Sequence, residues 1–272
     1  MPKPEIFIHV GMARTASTFF QSRVFPKLKG IYYQRNLNYH HATELLSRPD
    51  HNKYLISKEL DNRDMRRRLG KFPELYSHAQ PFIIIRRHDE WILSQYKRYL
   101  KNGLHLRFSE FLDLKNNQGF IKAEHLYYKE FIRSLDGCFE QKPVVYFYDD
   151  FRNDPEVFVN KLSQLMGIES DTSRMNLNPM HVSYGEKELR ALYHITGVVK
   201  MKKNRIYSPK WTRALLHPWT EMLRYAVLYG ARILPSGMVG NEHIFPSPEQ
   251  LNMIREYFKD DWQWCVDYAG KN

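Results

Sequence analysis

The sequence predicts an α/β fold, a parallel β-sheet flanked by helices with a helical C-terminal region, on three observations. Short, nearly continuous apolar runs recur at 6–10, 54–57, 81–85 and 144–148, the pattern of central strands buried on both faces. The segments between them place apolar residues at helical spacing, so strand and helix alternate as in repeated βαβ units. The length of 272 residues suits one α/β domain built around one sheet.

Taken in order, the first strand is IFIHV, and it leads through GMARTAST into a helix that begins near Ser17 and runs over 19–28. The strand YLIS at 54–57 follows. PFIII at 81–85 feeds a helix over 91–100, a further helix covers 125–135, and VVYFY at 144–148 precedes a helix over 155–166 that opens with Asp154-Pro155. Residues 198–240 differ in composition, with MKKNR ahead of WTRALLHPWTEMLRYAVLYGARILPSG. They read either as a helical cap packing Trp219, Leu223 and Leu228 onto the core, or as a basic amphipathic helix in peripheral membrane contact through 211–234. A closing helix over 248–268 carries Leu251, Ile254, Tyr257 and Phe258 at helical spacing. With no internal repeat or low-complexity tract, residues 1–272 are expected to form a single domain with 198–240 as an insertion or cap.

Forty-one Lys and Arg against 30 Asp and Glu give a net charge of +11, which favours anionic partners without choosing among them. Two cysteines, Cys138 and Cys265, have neither disulfide-framework nor metal-ligand spacing. No charged-then-apolar leader precedes the first strand, and no window approaches the roughly 18 apolar residues of a membrane span. These features predict a soluble, cytoplasmic protein. Nothing resembles a nucleic-acid recognition motif, and the aromatics form no evident stacking stripe, so no nucleic-acid partner is expected.

The chemistry centres on Gly11–Thr18. Against the phosphate-loop pattern G-x-x-x-x-G-K-[ST], Gly11 and Thr18 hold the first and last places, whereas Ala16 replaces the second Gly and Ser17 the Lys. A strand still ends beside a short loop and a helix N-terminus, so free N–H groups and the positive helix end point at one spot. Arg14 supplies a cation from inside the loop.

The run Gly11-Met-Ala-Arg14-Thr15-Ala16-Ser17-Thr18 resembles the 5′-phosphosulfate loop of sulfotransferases that use 3′-phosphoadenosine 5′-phosphosulfate (PAPS). Arg86-Arg-His-Asp-Glu-Trp-Ile-Leu-Ser94-Gln-Tyr96 resembles the 3′-phosphate motif of the same family, Arg-x-Pro-x-x-x-x-x-Ser-x-Tyr. Its spacing is chemically sensible, because Arg86 leaves a strand end and Ser94 follows on the next helix, where both can donate to one phosphate. The stretch from Val144 through Asp149-Asp150, Asp154-Pro155 and Met166-Gly-Ile168, and the C-terminal SPEQL…YFKDD, are similar to bacterial and carbohydrate-type members. Ala16 for Gly and His88 for Pro depart from the family pattern.

The resemblance implies a P-loop-like nucleotide-binding, sulfotransferase architecture and transfer of a sulfuryl group from PAPS to a hydroxyl of a carbohydrate or glycolipid-like acceptor, with no metal required. It implies that Arg14 stabilises charge on the transferring group. The backbone of Thr15, Ala16, Ser17 and Thr18, with the hydroxyls of Ser17 and Thr18, would hold the 5′-phosphate, and Arg86 and Ser94 the 3′-phosphate. Glu59, at the end of the strand-plus-SKE segment, is the expected general base, with His9 and His88 in reserve. A surface carboxylate paired with Lys58 or Arg63 is the competing reading of Glu59. Lys202, Lys203 and Arg205 either cover the 3′-phosphate or form a solvated cluster, Asp149-Asp150 reads as structural, and segments near 30–50, 101–125 and 198–240 are expected to shape the acceptor pocket. Two other functions stay open: a nucleotide kinase, which the missing loop Lys argues against, and a non-catalytic polyanion-binding protein.

Overall fold

The computed structural model describes residues 3–35, 44, 46, 50–59, 69, 72–178, 184–198, 210–235, 239 and 242–271, with the side chains of 210–218 and 220 left undescribed. Arg63, Lys202, Lys203, Arg205 and most of 36–49 lie outside the described residues.

Among the described residues five parallel strands form the sheet: β1 (Glu5–Gly11), β2 (Tyr32–Arg35), β3 (Lys53–Glu59), β4 (Gln80–Ile85) and β5 (Val144–Phe147), in the order β2-β3-β1-β4-β5. Residues of alternate parity face opposite sides of a strand, and each side has its own core. Ile6, Ile8, Val10, Tyr54, Ile56, Ile83 and Ile85 pack with Tyr128, Phe131, Ile132 and Leu135 on one face. Phe7, Leu55, Phe82 and Ile84 pack with Phe20, Phe25, Phe158 and Leu162 on the other. Burial on both faces is why these strands read as continuous apolar runs. The two edge strands are only partly buried; VVYF of β5 is still apolar throughout, whereas YYQR of β2, paired with β3, carries no apolar run.

The expected helix over 19–28 is instead three windings: an α-turn at Ser17–Phe19, a π-turn at Phe20–Val24 and a 3₁₀ turn at Phe25–Lys27. Pro26 has no N–H to continue an α-helix. The wider π-turn sets Phe20 and Phe25 on one side, their rings 5.7 Å apart. The closing helix is likewise two, Pro248–Tyr257 and Lys259–Lys271, interrupted at the buried Phe258.

The chain divides into two compact units. The first, Met1–Trp91, Glu124–Met180 and Arg255–Asn272, holds the sheet and its covering helices. The second, Ile92–Ala123 and His181–Ile254, is helical; Tyr96, buried in it, packs against Phe108, Phe111 and Phe245.

Candidate active site

In open α/β sheets ligands bind beyond the carboxyl ends of the strands, where the connections diverge. Here the connections diverge on either side of the central β1, and the expected site residues within the first unit leave the carboxyl ends of β1, β3 and β4. Gly11 is the register partner of Glu59.

The β1 loop keeps a phosphate-loop backbone despite its substitutions. Arg14 and Ala16 both take positive φ, 71° and 62°, so Ala16 adopts the left-handed conformation for which glycine is ordinarily used. A Cβ on Gly11 would stand 2.9 Å from Ser17 Oγ, so a side chain there would force Ser17 to shift. Thr15 Oγ1 and Ser17 Oγ, both buried, donate to the Met12 carbonyl at 2.9 and 2.8 Å. The indole Nε1–H of Trp91 holds the neighbouring Ala13 carbonyl at 2.8 Å. The loop's carbonyls are therefore drawn inward. The hydroxyl protons of Thr15 and Ser17 serve the loop itself, and what these residues can offer an anion is main-chain N–H at a helix start. Arg14 and Thr18 are exposed, and Thr18 Oγ1 lies 3.5 Å from Glu59 Oε1, so the loop and the expected base meet.

At the end of β4, the helix α3 (His88–Lys101) begins with two carboxylates that gather four guanidinium groups. Arg86 donates to Glu90 Oε2 through Nε and Nη2 at 3.0 and 2.8 Å and lies over the Tyr148 ring at 4.6 Å. Arg152 reaches Glu90 at 3.0 Å and Asp149 at 2.8 Å. Arg87 and Arg255 bind Asp89 at 2.9 and 2.8 Å. Burial pushes both carboxyls up, but hydrogen bonds from Arg255 and Arg87 to Asp89, and from Arg86 and Arg152 to Glu90, outweigh it and hold both below the usual range. Of the acidic pair, Asp149 is thus bridged to Arg152. Arg152 and Arg255 were not legible as site residues, since nothing in a sequence shows that helices starting at Tyr148 and Pro248 return to β4. Ser94 is buried in the second turn of α3, and the Tyr96 hydroxyl is held by the Leu106 and Ile244 carbonyls at 2.9 and 2.7 Å.

The reserve histidines are interior. His88 stacks on Phe258 with ring centroids 4.4 Å apart and lies 3.2 Å from Asp261 Oδ2; that carboxylate also accepts the Tyr128 and Lys129 N–H groups. His9 is fully buried among Phe20, Phe25 and Phe82, and burial lowers its pKa to about 3. Arg35 Nε donates to Gln21 Oε1 at 3.2 Å, the Gln21 amide N–H donates to Ser57 Oγ at 2.9 Å, and Ser57 Oγ and His9 Nδ1 share a hydrogen bond at 2.8 Å. Neither imidazole is open to a substrate.

No family model matches the chain, and no curated protein matches its sequence. Solved structures do. The crystal structure of mouse sulfotransferase SULT7A1 complexed with PAP aligns at a TM-score of 0.51 and 13% identity, covering 100% of this chain and 90% of that one. A sulfotransferase from Alicyclobacillus acidocaldarius aligns at 0.49 and 17%, over 72% of this chain and 93% of that one. Retinol dehydratase in a complex with retinol and PAP gives 0.45 and 11%, over 96% and 82%. The likeness to the mouse structure shows that the chain has a sulfotransferase fold.

Proposed function

We propose that the chain is a PAPS-dependent sulfotransferase acting on an acceptor hydroxyl, of a carbohydrate or glycolipid-like molecule. One observation carries the proposal: a left-handed loop bearing Arg14 and a four-arginine cluster stand at the carboxyl ends of the neighbouring strands β1 and β4. A nucleotide with separate 5′ and 3′ anionic groups needs two such places. The residues fit it, since the loop turns its carbonyls inward and the guanidinium groups around α3 outnumber their carboxylate partners.

In this reading the main-chain N–H groups of Thr15, Ala16, Ser17 and Thr18 hold the 5′-phosphate, and Arg86 holds the 3′-phosphate. Ser94 is assigned with Arg86 by motif spacing alone. When bound, PAPS supplies an activated sulfuryl group on a phosphate leaving group. Arg14 places fixed positive charge beside that group, and as a guanidinium it does not give up a proton. Glu59 takes the acceptor hydroxyl proton on a carboxylate oxygen, beside the Thr18 hydroxyl. A reducing, cytoplasmic setting suits Cys138 and Cys265, which form no disulfide.

Calorimetry with 3′-phosphoadenosine 5′-phosphate, without magnesium, tests the cofactor class. The expected result is micromolar binding that needs the 3′-phosphate and is lost in Arg86→Ala. Preference for ATP with magnesium would return the kinase reading, and binding indifferent to the 3′-phosphate the polyanion one.

A further inference from the structure

The helix Lys210–Ile233 exposes an apolar face. Trp219, Met222, Leu223, Ala226, Gly230 and Ile233 recur at three- and four-residue steps, the spacing of one helix face, and all are exposed: Trp219 by 68%, Met222 by 57% and Ile233 by 88%. The opposite face is buried and holds Arg224, which pairs with Glu221, beside Leu228 and Ala231. The stripe extends about 21 Å at 1.5 Å per residue. A monomer in water gains nothing from this arrangement.

Aromatic and cationic groups border the stripe. Arg232 lies over the rings of Tyr184 and Tyr229 at 5.6 and 5.4 Å, and Lys101 over Tyr184 and Tyr225 at 5.4 and 5.8 Å. Lys187 Nζ caps the helix end at the Arg232 and Leu234 carbonyls. The helical unit that carries the stripe has 16 Lys and Arg against 7 Asp and Glu, a net +9 of the chain's +11.

We propose that this face docks on an anionic lipid surface. Apolar side chains edged by Tyr and by cations suit the headgroup boundary, where rings and alkyl groups enter and charges meet lipid phosphates. A second copy of the chain would bring the same cationic border against itself, so charge favours lipid over self-association. Among the described residues no helix is long and apolar enough to cross a membrane, so the helix lies on the surface. The proposal is independent of the sulfotransferase reading, and none of its residues is among those assigned to the cofactor or to catalysis.

The test is co-flotation of the full chain with phosphatidylcholine vesicles, with and without phosphatidylserine. Wild type is expected to float with the phosphatidylserine vesicles, less so as salt rises, and weakly with phosphatidylcholine alone. Trp219→Ser with Ile233→Ser, both exposed and so compatible with folding, weakens this by about tenfold or more, with the melting temperature and bisphosphate-nucleotide affinity unchanged. Met222→Glu, which sets a negative charge within the stripe, does the same by a second route. Absence of flotation, equal binding to both vesicles, or undiminished binding by both variants overturns the proposal. So does a wild-type dimer that either variant dissociates, which would make the face a contact between copies.

Discussion

Ala16 sits where the loop demands a left-handed residue, and its methyl group strains that conformation. Ala16→Gly is expected to raise stability by about 0.5–1 kcal/mol, as relief of strain exceeds the added unfolded-state entropy, and a urea midpoint measures it. Glu59→Gln keeps the shape of the side chain and removes the proton acceptor. Turnover should fall by ~10²–10⁴ while the affinity for 3′-phosphoadenosine 5′-phosphate stays constant; near wild-type turnover would remove Glu59 from the mechanism. The sequence made the departure at Ala16 visible. It did not tell whether Thr15 and Ser17 face a ligand or their own loop, because the same hydroxyl serves both uses and only the Met12 carbonyl within 2.9 Å decides.

The junction of β4 and α3 places Glu90 on Arg86, so the 3′-phosphate proposed for Arg86 would compete with an internal carboxylate. Glu90→Gln removes that competitor. Nucleotide affinity is expected to rise severalfold while folding stability falls by about 1–3 kcal/mol, the cost of weakening a charge-assisted cluster. A drop in affinity would show that Glu90 instead holds Arg86 in its working position; calorimetry and denaturation together separate the two. At this scale β1, β3 and β4 were legible because each is buried on both faces, and the edge strand β5 because all four of its residues are apolar although only Val145 is fully buried. The other edge strand, β2, was not, and neither was the π-turn, which depends on where Phe20 and Phe25 find partners.

For the whole molecule, the buried groups set the acid response. His9 has a folded pKa near 3 against an ordinary 6.5, so its contribution is complete above pH 6.5 and is lost as pH falls toward 3; by pH 5 the loss is about 2 kcal/mol. Asp89 and Glu90, whose pKa values are depressed, add losses only at lower pH, through the carboxylate range. Urea denaturation at pH 7 and pH 5 should show the first loss, and His9→Asn should flatten that window alone. The alternation of strands and helices was legible in the sequence, but the uneven charge, +9 on the helical unit, was not. That unit is assembled from two separated stretches of chain, and totals taken along the sequence average over them.

The indole of Trp91 is fastened to the carbonyl of Ala13, at the heart of the β1 loop. Any rearrangement of that loop changes the electric field and hydrogen bonding felt by one tryptophan among five. The protein thus carries its own optical reporter: intrinsic emission, with Trp91→Phe as the silent control, would follow the arrival and departure of the proposed nucleotide in stopped flow without an added dye.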